Sequence, residues 1–97
     1  MTSDPQPSAE ITHDPIAHRF AMVVDGHSSV LDYEIDGERV VFTHTFVPGE
    51  LRGRGVAEKL VRAGLGWAQA GRKRVVPACS YVAKFIERHA EFQALLG

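Results

Sequence analysis

The stretch Val47-Pro48-Gly49-Glu50-Leu51-Arg52-Gly53-Arg54-Gly55-Val56-Ala57 decides how this chain is read. Ahead of it runs a β-branched and aromatic segment, Val40-Val41-Phe42-Thr43-His44-Thr45-Phe46-Val47, which a Pro-Gly pair stops. Behind it an amphipathic pattern begins near Gly55. Strand, glycine loop and helix in that order have the physical content of an anion site. The first N–H groups of a helix have no partner within it, and the macrodipole adds partial positive charge there. Gly53 and Gly55 let a phosphate approach the backbone and let the loop use positive φ. Arg52 and Arg54 add forked donors that suit phosphate oxygens.

Working outward, three runs precede the loop. From His18 to Val24, Phe20, Met22 and Val24 share one face of a strand. From Ser29 to Ile35, Leu31, Tyr33 and Ile35 face one way, with Asp32 and Glu34 opposite. The third run is Arg39 to Val47. Asp25-Gly26 and Asp36-Gly37 are two-residue turn signals, so the runs read as an antiparallel meander. Residues 1–14 are rich in Pro, Ser, Asp and Gln and lack apolar periodicity. They read as a flexible tail ahead of one domain over residues 15–97.

After the loop, a helix is expected from Gly55 to Ala70. Its apolar stripe is Ala57, Leu60, Val61, Gly64, Leu65 and Ala68, with Gly64 and Gly66 available for close packing on the sheet. Gly71 ends it. Val75-Val76, stopped by Pro77, is a short strand that a helical crossover makes parallel to the third run. A second helix is expected from Tyr81 to His89, capped by Ser80 or Cys79, with Val82, Phe85 and Ile86 inward. Phe92, Leu95 and Leu96 form a closing patch.

Composition excludes several classes. Ninety-seven residues make one domain, and a hydrophobic fraction of 44% suits a globular chain. A single cysteine rules out an intramolecular disulfide and a cysteine zinc cluster, and no histidine has ligand spacing; no metal is expected. No apolar run is long enough for a membrane helix and no signal segment is evident, so a cytoplasmic location is expected. Residues 1–50 hold nine acids and two bases, a net of −7; residues 51–97 hold nine bases and three acids, a net of +6. A basic half with a phosphate loop suits a polyanionic ligand. Nucleic acid is disfavoured, because exposed aromatics are not interleaved with the bases.

The loop carries no Gly-Lys-Ser or Gly-Lys-Thr and no three-glycine dinucleotide fingerprint. What it carries, Arg52-x-x-Gly55-x-Ala57, resembles the acyl-CoA pyrophosphate signature of the GNAT superfamily of N-acetyltransferases. Two further stretches extend the match, His44-Thr45-Phe46-Val47-Pro48 and Val75-Val76-Pro77-x-Cys79-Ser80-Tyr81-Val82-x-x-Phe85-Ile86-x-x-His89. Together they resemble the small, single-domain GNAT-like proteins, over about residues 18 to 96. The resemblance implies a minimal α+β fold: antiparallel meander, phosphate loop, helix, parallel strand, helix. It implies acetyl-CoA as donor, coenzyme A as product and an amine as acceptor. Pantetheine would lie where two strands part, beside Phe46 and Val47. Arg52, Gly53, Arg54, Gly55, Val56 and Ala57 would supply N–H groups to the pyrophosphate. Tyr81 and Lys84 would line the other wall.

For the chemistry, Cys79 stands where a strand gives way to a helix, a position that favours a thiolate. It reads either as a carrier of the acetyl group or as a lining residue. His44 has the range of a general base. In many members of that family a tyrosine acts as acid where Ile86 stands here; Tyr81 reads either as a replacement for it or as a packing residue. The segments that build the acceptor site in larger members are missing, so the site is expected to be open or completed by a protein partner or a second copy. The alternative reading is a non-catalytic acyl-CoA-binding module completed by such a partner.

Overall fold

A computed structural model describes residues 10–97; residues 1–9 of the tail expected over 1–14 lie outside the described residues. Five strands form one sheet in sequence order: β1 (Ile11–Asp14), β2 (Arg19–Val24), β3 (His27–Asp36), β4 (Arg39–Phe46) and β5 (Arg74–Pro77). Neighbours are antiparallel except β4 and β5, which are parallel. Helix α1 (Val56–Ala70) makes the crossover between them, and α2 (Ser80–Arg88) follows β5. Short 3₁₀ turns occupy Gly49–Leu51 and Ala90–Leu95. The α+β architecture is the one expected.

Two details correct the sequence reading. Ile11–Asp14, assigned to the tail, is an edge strand paired with β2. Its inward residues are held by side chains that composition does not reveal: His13 stacks on Phe20 at 4.0 Å and meets the Tyr33 hydroxyl at 2.6 Å. In the β3–β4 hairpin Asp36 pairs with Arg39, so the two-residue turn is Gly37-Glu38, with Gly37 at φ 62°. Gly71 ends α1 as expected, and Arg72 beyond it takes the left-handed conformation, at φ 57°.

One face of the sheet carries Phe20, Met22, Leu31, Tyr33, Val40, Phe42 and Val75, all buried. Against it α1 sets Val56, Leu60, Val61, Leu65 and Ala68, and α2 adds Val82, Phe85 and Ile86. Burying these side chains is the main force holding the helices on the sheet. Gly64 is where α1 comes nearest: a Cβ there would stand 2.9 Å from Leu31 Cδ2 and 3.0 Å from Phe42 Cε1. Gly66 meets nothing within 4 Å, so the close packing expected of it is not there. Ile35, one pair from the turn, is 42% exposed rather than part of the core. Phe92 is buried and Leu96 bridges to Val75, closing the outer edge of β5.

Candidate active site

β4 has two halves. From Arg39 to Phe42 it pairs with β5 on one side and β3 on the other. Beyond Phe42 the β5 ladder stops: Pro77 has no N–H to donate and Cys79 N–H takes the Phe42 carbonyl at 2.8 Å as the last contact. Thr43 to Phe46 therefore border an opening. Between Tyr33–Phe42 and Asp32–His44 the register with β3 shifts, so one extra residue on β4 forms a bulge. A bulge inverts the alternation. Val40 and Phe42 face the helices before it, and Thr45 faces them after it.

The opening is a cleft of about 460 Å³. Thr45, Phe46 and Val47 form one side, the loop from Leu51 to Gly55 the floor, and the first turn of α1 with Tyr81 the rest. Gly53 and Gly55 are left-handed, at φ 79° and 77°, and a Cβ on either would meet nothing within 4 Å. The space before their backbone is thus free for an approaching group. Gly55 is the N-cap of α1 and supplies no side-chain cap, so the orphan amides of the first turn keep their donors. Arg52 is exposed at the rim.

Not all six expected amides face the cleft in the same way. The N–H of Arg52 goes to the Gly49 carbonyl at 3.2 Å and that of Arg54 to the Leu51 carbonyl at 3.3 Å, both closing turns. These two residues have only side chains to offer. The Arg54 guanidinium pairs with Asp25 at 3.1 Å. Arg52, Gly53, Gly55, Val56 and Ala57 line the cleft, with Phe46, Val47 and Tyr81; Arg54 does not, and Cys79 stands behind Thr45 rather than in the lining. Lys84 does not line it either. It lies beside Pro77, Glu87 and Leu96, in a hollow outside the cleft. His44 is also displaced. The bulge puts it opposite Asp32 on the outer face of the sheet, where Asp32 pairs with Arg19 at 2.7 Å. It does not line the cleft, so it stands away from the place where a general base would act.

Cys79 is half-buried at the N-cap of α2, and its Sγ lies 3.3 Å from Thr45 Oγ1. Burial pushes the thiol up, but the Thr45 hydroxyl and backbone groups of Val82, Tyr81 and Thr45 outweigh it and bring it below the usual thiol value. Burial also raises the Tyr81 phenol, with Glu58 adding and Arg88 opposing. The two shifts run in opposite directions, the thiol down and the phenol up. Thr45 and Glu58 were not singled out from sequence. The signal for Thr45 was present in the loss of alternation after Phe42, where Thr43 and His44 break the apolar phase.

Among the described residues no helix is long and apolar enough to cross a membrane. The family described as GCN5-related N-acetyl-transferase matches residues 19–95. Protein NATD1 of Bos taurus is 34% identical over 82 residues, covering 81% of this chain and 73% of that one. Protein NATD1 of Xenopus tropicalis is 30% identical over 89 residues, covering 89% and 82%. Among solved structures, the NMR solution structure of a GCN5-like protein from Staphylococcus aureus superposes with a TM-score of 0.75. Its identity is 23%, with 94% of this chain and 90% of that chain covered, which establishes a common fold. The chain belongs to the GCN5-related N-acetyltransferase family.

Proposed function

We propose that the protein is an acetyl-CoA-dependent N-acetyltransferase that passes the acetyl group to an amine by way of Cys79. The observation that carries this reading is the course of the cleft, from the uncapped start of α1 to Thr45, which touches Cys79. Acetyl-CoA fits the residues present. The amides of Gly53, Gly55, Val56 and Ala57 suit its pyrophosphate, with Arg52 at the rim. Phe46 and Val47 offer an apolar wall to pantetheine, and Tyr81 stands across from them. Bound there, the cofactor supplies an acyl group activated as a thioester.

Cys79 Sγ accepts the acetyl group: its bond to the carbonyl carbon forms and the donor's carbon–sulfur bond breaks. Tyr81 gives its proton to the departing thiolate. The neutral amine then attacks the acetyl carbon, the Sγ–carbon bond breaks, and Cys79 returns as thiolate. The proton shed by the amine restores Tyr81. A helix N-terminus beside Sγ favours the thiolate at both ends of this cycle.

Mass spectrometry after a single turnover with acetyl-CoA tests the proposal. An acetyl adduct on Cys79 is expected, and Cys79→Ala is expected to bind acetyl-CoA yet carry no adduct. Release of coenzyme A across a panel of amines with no adduct at any time would overturn the covalent route. No release with any amine would leave an acyl-CoA-binding module instead.

A further inference from the structure

The bulge in β4 has an effect that strand pairing alone does not require. Without it, the alternation set by Val40 and Phe42 would turn His44 and Phe46 toward the helices and Thr45 toward solvent. With it, Thr45 is half-buried on the helix-facing side and its hydroxyl meets Cys79 across the gap between β4 and the start of α2. The two residues are 34 apart in sequence, so the contact comes from the fold and not from a local turn.

We propose that Thr45 is the positioning residue for Cys79: the bulge turns Oγ1 onto Sγ, where the hydroxyl donates to the thiolate and holds it against Thr45, itself a lining residue of the cleft. This rests on Cys79 as the thiol that carries the acetyl group. A hydroxyl suits the task better than a cation. It can donate to the thiolate, accept from the thiol, and bring no charge that would survive once the sulfur is acetylated. The groups that tune Cys79 are this hydroxyl and backbone groups of β4 and α2; no charged side chain is among them. The Cys79 N–H is itself fixed to the Phe42 carbonyl at 2.8 Å, so Sγ has a rigid anchor on the same strand.

Because the chain has a single cysteine, its alkylation by iodoacetamide reports Cys79 alone. The pH dependence of that rate is compared for the unaltered protein, Thr45→Val and Thr45→Ser. Thr45→Val is expected to move the midpoint upward and slow alkylation at pH 7 about threefold. A one-unit rise removes about tenfold of thiolate, and the greater nucleophilicity of a more basic sulfur returns part of it. The high-pH plateau should rise about threefold for the same reason, and Thr45→Ser should restore both plateau and midpoint. A Thr45→Val profile superimposed on that of the unaltered protein would overturn the proposal, and so would a rate change equal at all pH values, which would mean altered access. Thr45→Ala repeats the comparison should the added methyl disturb packing. A shifted midpoint without acetyl adduct would uphold Thr45 and sink covalent transfer; an adduct with an unmoved midpoint would do the reverse.

Discussion

The first half of β4, Arg39 to Phe42, is hydrogen-bonded on both edges, and Val40 and Phe42 are fully buried. The second half, Thr43 to Phe46, has lost β5, and Phe46 is 48% exposed. The same strand thus packs the core in one half and borders the cleft in the other, with a bulge as the divide. Substitutions in the paired half should change folding and leave ligand affinity alone in the folded fraction. Those in the open half should do the opposite.

Phe42→Ala should have the largest effect. Removing a fully buried ring costs about 3–5 kcal/mol, read as a shift in the urea midpoint. Gly64→Ala tests the same half from the helix side. The added methyl must displace Leu31 and the buried Phe42 ring, so a net loss of about 1–2 kcal/mol is expected despite better helix propensity. Arg52→Ala tests the open half. It should weaken acetyl-CoA binding about tenfold by calorimetry while moving stability by less than about 0.5 kcal/mol. Gly66→Ala, two residues from Gly64 with open space around it, should stabilise by up to about 1 kcal/mol.

The smallest effect concerns acid. Burial lowers the pKa of His13, and Asp14 opposes this only in part. The unfolded chain therefore binds that proton more readily. The stability His13 contributes is complete above its unfolded value of 6.5 and is lost as pH falls through its lower folded value. The melting temperature should drop modestly between pH 7.5 and 5.5, and His13→Phe should flatten that drop.

Much of this was legible in the chain because the signals are local. Asp25-Gly26, the stripe from Leu60 to Ala68, and the glycines beside Arg52 each declare their structure within a few residues. What was not legible depends on distant partners. The β1 strand exists because His13 finds Phe20, Tyr33 and the edge of Trp67 at 4.9 Å, none of them near in sequence. The bulge has no glycine or proline to announce it, and it reverses the faces of His44 and Thr45; a strand read as regular assigns the chemistry to the wrong neighbour.

Titration of the ¹⁵N-labelled protein with acetyl-CoA, followed by amide chemical shifts, tests the central claim most directly. Gly53, Gly55, Val56, Ala57 and Glu58 should move first and furthest, with Thr45 to Val47 next and the paired half of β4 nearly still. Saturable binding that leaves the five loop and helix amides in place would contradict the assignment of this cleft.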